Sequence, residues 1–377
     1  MPKLGIVVSH PIQYYAPLFR FLAKHVDLEV FYGFQPTAQQ VGQSGFGIAV
    51  DWGIDLLGGY SYRFVENISK NPSTDGFSDI DTPGIGKALK SAGVTHVLIM
   101  GWQLKSYWQA FIYCLRHGIP VAVRGDSLIK HNEPWAKSTV RRLIYPLFLR
   151  QYRKIFFVGQ RNKEYLLQNG AKTSQLLFAP HAVDQAFWEP SDRTSKGKNV
   201  IRFLWVAKFI PKKRPVDAIR AFQKALQRRT DIELCMVGTG ELLESCRALA
   251  MDKPRIRFMG FKNQLELRDV YATGDCLILT SDEGETWGLV VNEAMSMGLP
   301  AIVSNACGCS KDLIDDGMTG FTYAVGDVES LTMQILKMAD LLQHDRMHFS
   351  QSLAERNAQY SFATSLSAIN NYLACQK

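Results

Sequence analysis

The sequence predicts an α/β protein with two domains, each a parallel sheet covered by helices. Short apolar runs of strand type alternate with helix-type segments through residues 1–190, and the same alternation restarts at residue 200. Between them, SDRTSKGKN at 191–199 has no apolar residue and follows Pro190, which is typical of a linker. Since such alternation is the pattern of βαβ units, we expect two Rossmann-like domains that face a central cleft.

The domain boundaries follow from this alternation. We place the first domain at residues 1–190, the linker at 191–199 and the second domain at 200–355. Residues 356–377 are expected to form a C-terminal helix that packs back on the first domain. A chain of 377 residues can bury a core in each of two domains.

The first domain carries five buried-type strands in the order of the chain. Apolar runs predict them at 3–9, 28–33, 95–101, 120–125 and 154–159. Apolar periodicity predicts helices at 17–25 and 160–169. Residues 67–82 are polar and rich in turn formers, so they are expected to form a loop.

The second domain repeats this alternation with five further strands. They are predicted at 201–208, 232–238, 255–260, 275–281 and 299–305. Residues 215–229 place Val216, Ile219, Phe222 and Leu226 on one stripe of a helix. A second helix is predicted at 289–298, where a glycine ends a helix-forming run.

Composition excludes several classes of protein. A hydrophobic fraction of 46% and a charged fraction of 21% are globular values. No apolar run approaches the roughly 18 residues of a spanning helix, and the N-terminal apolar run is too short for a secretory signal. The seven cysteines are scattered and odd in number, which favours free thiols in a reducing cytosol, and CGC at 307–309 lacks zinc spacing. We therefore expect a cytoplasmic protein.

Positive charge is concentrated in the first half. Residues 1–190 hold 20 Lys and Arg against 13 Asp and Glu, whereas the rest holds 23 against 22. The segment 137–154 has six basic residues, no acidic one, and interleaved Leu, Ile, Tyr and Phe. It predicts an amphipathic surface for an anionic membrane. The alternative is a core helix with a solvated basic face, and Pro146 is expected to interrupt either. No motif supports nucleic-acid binding.

Two glutamates in SDEGETWGLVVNEAMSMGLPAIVSN, residues 281–305, are the best candidates for ligand binding. Glu285 lies in the turn after a predicted strand and Glu293 in the following helix, near the sheet edge where open α/β sheets bind ligands. The amides of Gly288, Leu289 and Val290 begin that helix and suit a phosphate. Carboxylates beside phosphate donors indicate a sugar nucleotide. Two solvated glutamates in an ordinary βαβ unit are the alternative.

An ordered set of motifs over roughly 179–330 resembles the family-4, retaining, GT-B glycosyltransferases. It comprises APHAVDQAFWEP, VAKFIPKKRPVDAIRAF, LCMVGTGE, FMGFKNQLELRDVYATGDCLILTS, EGETWGLVVNEAMSMGLPAIVS and CGCSKDLIDDGMTGFTYAVGDVESL. An ordered set is far more specific than one motif. The first half resembles some bacterial members only in SHPIQYYAPLFRFLA. The resemblance implies the GT-B fold and sugar transfer.

The resemblance also implies roles for residues of the second domain. Lys208 and Lys213 match the two basic positions of a phosphate loop, where fixed cations stabilise the departing diphosphate without a metal. Glu285 matches the position that binds the hydroxyls of the donor sugar, and Glu293 the position that binds the ribose hydroxyls. A solvated loop is the alternative for the lysines.

Five further positions complete the implied donor site. Gly288 lets the backbone approach the phosphates, to which Leu289 and Val290 amides donate. Gly260 and Phe261 match the place where the family holds the base through backbone contacts.

The first domain departs from the family pattern. The glycine-rich loop after the first strand is absent, and where many members carry a histidine this chain has Gly125 and Asp126. Asp126 is predicted to bind the sugar or a neighbouring loop. Gln13 is predicted to approach the donor phosphate or the acceptor. Weaker acceptor candidates, each with a structural alternative, are His10, Tyr14, Tyr15, Trp102 and Arg124.

The resemblance implies a retaining glycosyltransferase, which we expect to be metal-independent and without a cofactor. The co-substrate is a nucleoside-diphosphate hexose, with UDP-sugars favoured slightly over GDP-sugars. The acceptor is a saccharide or a lipid-linked molecule of cell-surface polysaccharide or glycolipid synthesis, and the enzyme is cytoplasmic or peripheral on the inner face of the membrane. A nucleotide-sugar epimerase of the same shape and a non-catalytic sugar-nucleotide-binding protein are the alternatives.

Overall fold

The computed structural model describes residues 2–43, 47–129, 134–189 and 200–375, so the predicted linker at 191–199 lies outside the described residues. Contacts divide the chain into two compact units. The first unit comprises described residues between Met1 and Thr37, Asp55 and His181, and Phe362 and Lys377. The second comprises those between Ala38 and Ile54 and between Ala182 and Ser361. The predicted boundaries place residues 38–54 in the first domain, whereas the described residues of this segment belong to the second unit.

Thirteen strands form in the described part of the chain, seven in the first unit and six in the second. In chain order they are β1 (Leu4–Val8), β2 (Leu28–Tyr32), β3 (Ser61–Phe64), β4 (His96–Ile99), β5 (Val121–Arg124), β6 (Lys154–Phe157), β7 (Leu176–Phe178), β8 (Ile201–Val206), β9 (Ile232–Val237), β10 (Ile256–Phe258), β11 (Cys276–Leu279), β12 (Ala301–Ser304) and β13 (Gly320–Tyr323).

The α-helices of the described residues are α1 (Ala16–Ala23), α2 (Ala38–Gln43), α3 (Ile85–Ser91), α4 (Lys105–Arg116), α5 (Trp135–Leu149), α6 (Gln160–Gln168), α7 (Gln185–Trp188), α8 (Pro215–Leu226), α9 (Leu243–Leu249), α10 (Gln264–Thr273), α11 (Leu289–Ser296), α12 (Ser310–Leu313), α13 (Val328–His344), α14 (Ser350–Gln359) and α15 (Phe362–Leu373). Short 3-10 turns occur at Thr173–Gln175 and Pro211–Lys213. None of these described helices is long and apolar enough to cross a membrane.

Both sheets are parallel, as the apolar runs predicted. The first has the order β3-β2-β1-β4-β5-β6-β7 and the second the order β10-β9-β8-β11-β12-β13. β1 and β9 are buried along their whole length, and β8 is buried except at Arg202, because helices cover both faces. Strand order reverses between β1 and β4 and between β8 and β11, the position at which open α/β sheets bind ligands.

Helix α15 belongs to the first unit although it lies at the end of the chain. It packs near α1 and β7, and the buried Tyr372 hydroxyl donates to the carbonyl oxygens of Val97 at 3.0 Å and Pro120 at 2.7 Å. These bonds attach the last helix to the ends of β4 and β5. Part of the segment for which a returning helix was expected, residues 356–361, instead belongs to the second unit.

Residues 38–54 belong to the second unit although they lie between β2 and β3 in the chain. The Gln264 amide donates to the Trp52 carbonyl oxygen at 3.2 Å. A side chain at Gly53, whose φ is +69°, would meet the Asn263 amide group at 3.0 Å. Asn263 caps α10 by accepting from the Glu266 amide at 3.0 Å. The segment is therefore attached to the start of α10.

Helix α5 runs without interruption through Pro146, so the expected break there is wrong. Pro146 lies in the last turn, and its ring packs where Gly170 has no side chain; a Cβ at Gly170 would lie 2.4 Å from it. The proline removes one intrahelical hydrogen bond. Pro146 thus lacks this hydrogen bond but packs its ring against Gly170.

Candidate functional site

The candidate site of the second unit lies at the carboxyl ends of β8 and β11, which are neighbours where the strand order reverses. The chain leaves β8 into the basic loop 207–214 and leaves β11 into the acidic turn 280–288. Parallel strands bring these two loops to one edge of the sheet. The fold thus places the predicted lysines beside the predicted glutamates.

Hydrogen bonds hold the two loops together. The fully buried Thr280 hydroxyl accepts from the Trp205 indole N–H at 2.9 Å and donates to the Lys213 carbonyl oxygen at 2.7 Å. The Asp282 amide donates to the Lys212 carbonyl oxygen at 2.9 Å. Since these bonds use backbone atoms and a buried ring, they fix the position of the lysine loop.

Lys213 and Glu285 form an ion pair in which the ammonium group donates to the carboxylate. Their side chains are only 15% and 13% exposed. Burial raises the pKa of Glu285, but the charge and hydrogen bond of Lys213 and the charge of Lys212 outweigh it, so the pKa lies below its ordinary value. Glu285 is therefore ionised at neutral pH.

Lys208 follows β8 and belongs to the same basic loop, 207–214. Burial, and then the charges of Lys213 and Lys212, lower its pKa from 10.5 to about 8, against an opposing contribution from Glu285. Lys212 is exposed, with its ammonium group 3.4 Å from the Gly284 carbonyl oxygen. The positive charges of the loop therefore repel one another, and a bound anion would reduce this repulsion.

Helix α11 begins beside this cluster at Gly288, whose φ is +107°. A side chain there would meet Leu279 at 2.7 Å as well as strain the backbone, so only glycine fits this cap. The amides of Leu289 and Val290 are in the first turn, where helical N–H groups lack intrahelical partners. All three predicted phosphate-binding positions therefore occur at one helix N-terminus.

Glu293 lies one turn into α11 and is half-buried. The fully buried Tyr271 hydroxyl donates to its carboxylate at 2.9 Å. Burial raises the pKa of Glu293 to about 7, although the hydrogen bond from Tyr271 acts in the opposite direction. The carboxylate is held in one orientation and is easily protonated.

Gly260 and Phe261 follow β10 at the same sheet edge. Gly260 has φ of +70°, nothing lies within 4 Å of where its side chain would be, and its carbonyl oxygen accepts from the Gly238 amide at 2.8 Å. Phe261 is half-buried. The open space at Gly260 is compatible with the predicted approach of a base, which stays a prediction.

In the first unit, His10 and Gln13 follow β1 as expected. His10 Nδ1 is 2.9 Å from the Ser9 hydroxyl, and its ring lies 5.5 Å from the Phe34 ring. Burial lowers the pKa of His10 to about 4, so the ring is neutral at pH 7. Gln13 is half-buried in the turn before α1.

Arg124 is buried and joins three parts of the first unit. Its guanidinium donates to the Tyr15 hydroxyl at 3.0 Å and to the carbonyl oxygens of Pro180 at 3.1 Å and Ala179 at 3.3 Å. The rings of Tyr14 and Tyr15 contact each other at 4.5 Å. These contacts favour the structural alternative for Arg124 and Tyr15.

Trp102 occupies the space beside Gly125, near the position where many family members carry a histidine. A side chain at Gly125 would meet the Trp102 ring at 3.2 Å, and Trp102 also packs at 6.2 Å from both Tyr145 and Phe148. The contacts favour a core role for Trp102 over the predicted acceptor role. No side chain fits at Gly125 without moving this ring.

A histidine nevertheless lies near this point, from a different segment. His181 Nε2 is 3.8 Å from the carboxylate of Asp126, and the two side chains are 5% and 46% exposed. Burial, and then Arg124, lower the pKa of His181, whereas Asp126 acts to raise it. His181 lies in the motif APHAVDQAFWEP and was not among the site residues predicted from the sequence.

Comparison with known proteins shows what these loops are similar to. The family model described as Glycosyl transferases group 1 matches residues 186–353, which span both loops and α11. We call the second unit the group 1 domain after this similarity. The first unit lies outside the matched residues.

Two curated relatives are similar to part of this chain. Sulfoquinovosyl transferase SQD2 of Arabidopsis thaliana is 31% identical over 159 residues, 41% of this chain and 30% of the relative. N-acetyl-alpha-D-glucosaminyl L-malate synthase of Bacillus anthracis is 29% identical over 174 residues, 45% of this chain and 43% of the relative. The alignments thus span less than half of the length of these relatives.

The fold likeness extends beyond the group 1 domain. The crystal structure of Anabaena Alr3699/HepE in complex with UDP and glucose matches with a TM-score of 0.72 at 15% identity, covering 100% of both chains. With two parallel sheets of seven and six strands, the chain has the GT-B fold.

Several residues of the group 1 domain that shape the site were not picked out from the sequence. Gly238 and Gly240 follow β9, and side chains there would meet the carbonyl oxygens of Ala207 at 1.9 Å and Phe209 at 2.6 Å. Two glycines directly after a buried strand were the available signal. Nothing in the sequence marked Tyr271 as the partner of Glu293.

The described residues contain no group of three or more His, Cys, Asp and Glu side chains suited to a metal ion. Lys208 and Lys213 are basic side chains of the loop 207–214. The metal-independence of the reaction stays a prediction.

Proposed function

We propose that this protein is a retaining glycosyltransferase that moves a hexose from a nucleoside-diphosphate sugar to a saccharide or lipid-linked acceptor. The observation that carries the proposal is the Lys213–Glu285 ion pair at the sheet edge of the group 1 domain. It combines a cation for a phosphate with a carboxylate for sugar hydroxyls, in two loops that hydrogen bonds hold together.

The charge of the lysine loop suits the leaving group. When the bond from the sugar to the diphosphate breaks, negative charge grows on the diphosphate oxygens. Lys213 is held by its own carbonyl group, and burial keeps Lys208 partly desolvated, so both cations are positioned before the reaction. The amides of Leu289 and Val290 add donors at a helix N-terminus.

The two glutamates have different tasks in this proposal. Glu285 stays ionised because of Lys213, and its carboxylate accepts from hydroxyls of the donor sugar. Glu293, oriented by Tyr271, accepts from the ribose hydroxyls. Neither acts as the acid or base of a hydrolase; the acceptor hydroxyl attacks the face from which the diphosphate leaves, and a phosphate oxygen takes its proton.

The donor and the acceptor are proposed at the level of chemical class. UDP-sugars are favoured over GDP-sugars, which the Anabaena structure with UDP and glucose supports. No cofactor is invoked. Asp126 is proposed to contact the sugar, since its carboxylate is 46% exposed. Acceptors of cell-surface polysaccharide or glycolipid synthesis and a cytoplasmic location complete the proposal, and Gln13, His10 and Tyr14 stay candidates for binding.

A ligand screen followed by turnover tests the proposal. Thermal shift with UDP-, GDP- and ADP-sugars should raise the melting temperature with one nucleotide class, because a ligand that binds the folded state stabilises it. Slow release of nucleoside diphosphate from that donor should follow and should be lost in Glu285→Gln. Binding without any release would favour the non-catalytic alternative, and an isomerised sugar nucleotide would favour an epimerase.

A further inference from the structure

Helix α5 presents its apolar residues to solvent. Val140, Leu143, Ile144 and Leu147 are 53%, 70%, 51% and 71% exposed, and Trp135 at the start of the helix is 81% exposed. Their spacing of three, four and seven residues from Val140 places the first four on one stripe. We call these four residues the outer face of α5. An ordinary surface helix carries polar residues in this place.

The opposite side of α5 is fixed to the first unit. Phe148 and Leu149 are buried in the core of that unit. Arg141 donates to the Asn169 side chain at 3.0 Å and lies 5.1 Å from the centre of the Tyr165 ring. The helix therefore has apolar residues on two sides, and among the described residues only one of these sides packs into the core of the first unit. The alternative of a core helix with a solvated basic face does not account for the outer face, which is apolar and exposed.

Positive charge borders the outer face. Arg142 and Arg150 are exposed, and the surrounding segment 137–154 holds six basic residues and no acidic one. The Arg150 guanidinium makes a weak contact with the Gly170 carbonyl oxygen, at a distance of 3.4 Å. An apolar stripe with a basic border is complementary to the anionic headgroups and acyl chains at a bilayer surface.

We propose that the outer face of α5 docks this protein on an anionic membrane surface, with Leu143, Ile144 and Leu147 inserted and Arg142 and Arg150 at the headgroups. Trp135 lies at the interface, where aromatic rings are preferred. A second copy of the chain is disfavoured as the occupant, because self-association would bring two basic segments together. This docking does not depend on which sugar or acceptor the enzyme uses.

Vesicle flotation of the full chain tests the apolar part. Vesicles of phosphatidylcholine with an equal share of phosphatidylglycerol should carry the protein at low and physiological salt, and phosphatidylcholine alone should carry less. Leu143→Ser, Ile144→Ser and Leu147→Ser together should reduce the bound fraction at least tenfold at an unchanged melting temperature. The matched control is Met251→Ser, Met318→Ser and Met333→Ser, which are also exposed but lie outside α5, and it should bind as wild type.

The structure also separates the two neighbouring arginines. Arg142→Glu should weaken binding to the anionic vesicles, whereas Arg141→Gln should mainly lower the melting temperature, because Arg141 is used within the first unit. Brominated lipids should quench tryptophan fluorescence, and Trp135→Phe should remove part of that quenching. Equal flotation of wild type and the α5 triple variant would overturn the proposal. So would a dimer that the triple variant abolishes in a wild type that binds no vesicles, since the face would then be an interface between copies.

Discussion

Lys213 and Glu285 lie 72 positions apart in the chain and form a half-buried ion pair. The positive charge of Lys213 keeps the buried Glu285 carboxylate ionised, and the carboxylate in turn holds the Lys213 side chain beside the start of α11. A ligand with both hydroxyls and phosphates would meet both charges at once.

Glu285→Gln should reduce sugar transfer by about one to two orders of magnitude, because a hydrogen bond to a charged group contributes roughly 1.5–3 kcal/mol. Initial rates at saturating donor measure this effect. Glu283→Gln in the same turn is the matched control and should keep its activity. Normal turnover of Glu285→Gln would remove this residue from the donor site.

Lys213→Ala should lose more activity than Lys212→Ala. Lys213 is buried against Glu285 and bound through its carbonyl oxygen to Thr280, whereas Lys212 is exposed. The comparison of kcat/KM for the donor between the two variants measures the difference. Similar losses would indicate a general effect of loop charge instead of one positioned cation.

Alkaline pH should weaken use of the donor. Burial and the neighbouring lysines lower the pKa of Lys208 to about 8, so the free enzyme loses this cation as the pH rises through that value. kcat/KM reports groups of the free enzyme and should therefore fall above about pH 8. Lys208→Gln should have a low, flat profile over this range. A decline retained by that variant would assign the titration to another group.

Glu293→Gln should stabilise the protein at neutral and higher pH. Burial raises the pKa of Glu293 from 4.5 to about 7, so between these values the folded state binds more protons than the unfolded chain. The free energy of unfolding therefore falls as the pH rises through this window. The variant should gain about 1–3 kcal/mol above roughly pH 8 and little below roughly pH 4. Urea unfolding at both pH values measures this, and a gain of equal size at both would contradict it.

Sugar transfer should persist in excess EDTA. The reason is that, in the proposed site, Lys208 and Lys213 supply the positive charge that stabilises the departing diphosphate. The rate after chelation and gel filtration should match that of the untreated enzyme within about twofold. Loss of activity that Mg²⁺ or Mn²⁺ restores would assign the charge of the leaving group to a metal.

The buried strands could be predicted from the sequence because their apolar runs are uninterrupted. The strand predicted at 201–208 forms at Ile201–Val206, since the chain turns at Lys208. β3 was missed, because Ser61–Phe64 is a mostly exposed edge strand that exists only through pairing with β2. β13 was missed because it has only four residues and begins with a glycine.

The candidate site was predictable to the extent that its residues lie in one motif. Glu285, Gly288 and Glu293 share a turn and a helix, so spacing placed them together. The contacts of Glu293 with Tyr271 and of Asp126 with His181 join separate elements, and only tertiary packing brings them within reach. An amphipathic surface at 137–154 was predicted, but not which residues of α5 are exposed, because periodicity does not say which of two apolar stripes is buried.

Residues 38–54 have a practical consequence for chimeric proteins. A chimera that exchanges the second unit could be made by joining the first half of one enzyme to the second half of another. Here the second unit is not continuous in the gene: Trp52 accepts from the Gln264 amide, and Gly53 leaves the room that the side chain of Asn263 occupies. A fusion made near residue 182 would combine residues 38–54 of one parent with α10 of the other. A functional exchange therefore needs two additional junctions, one on each side of residues 38–54.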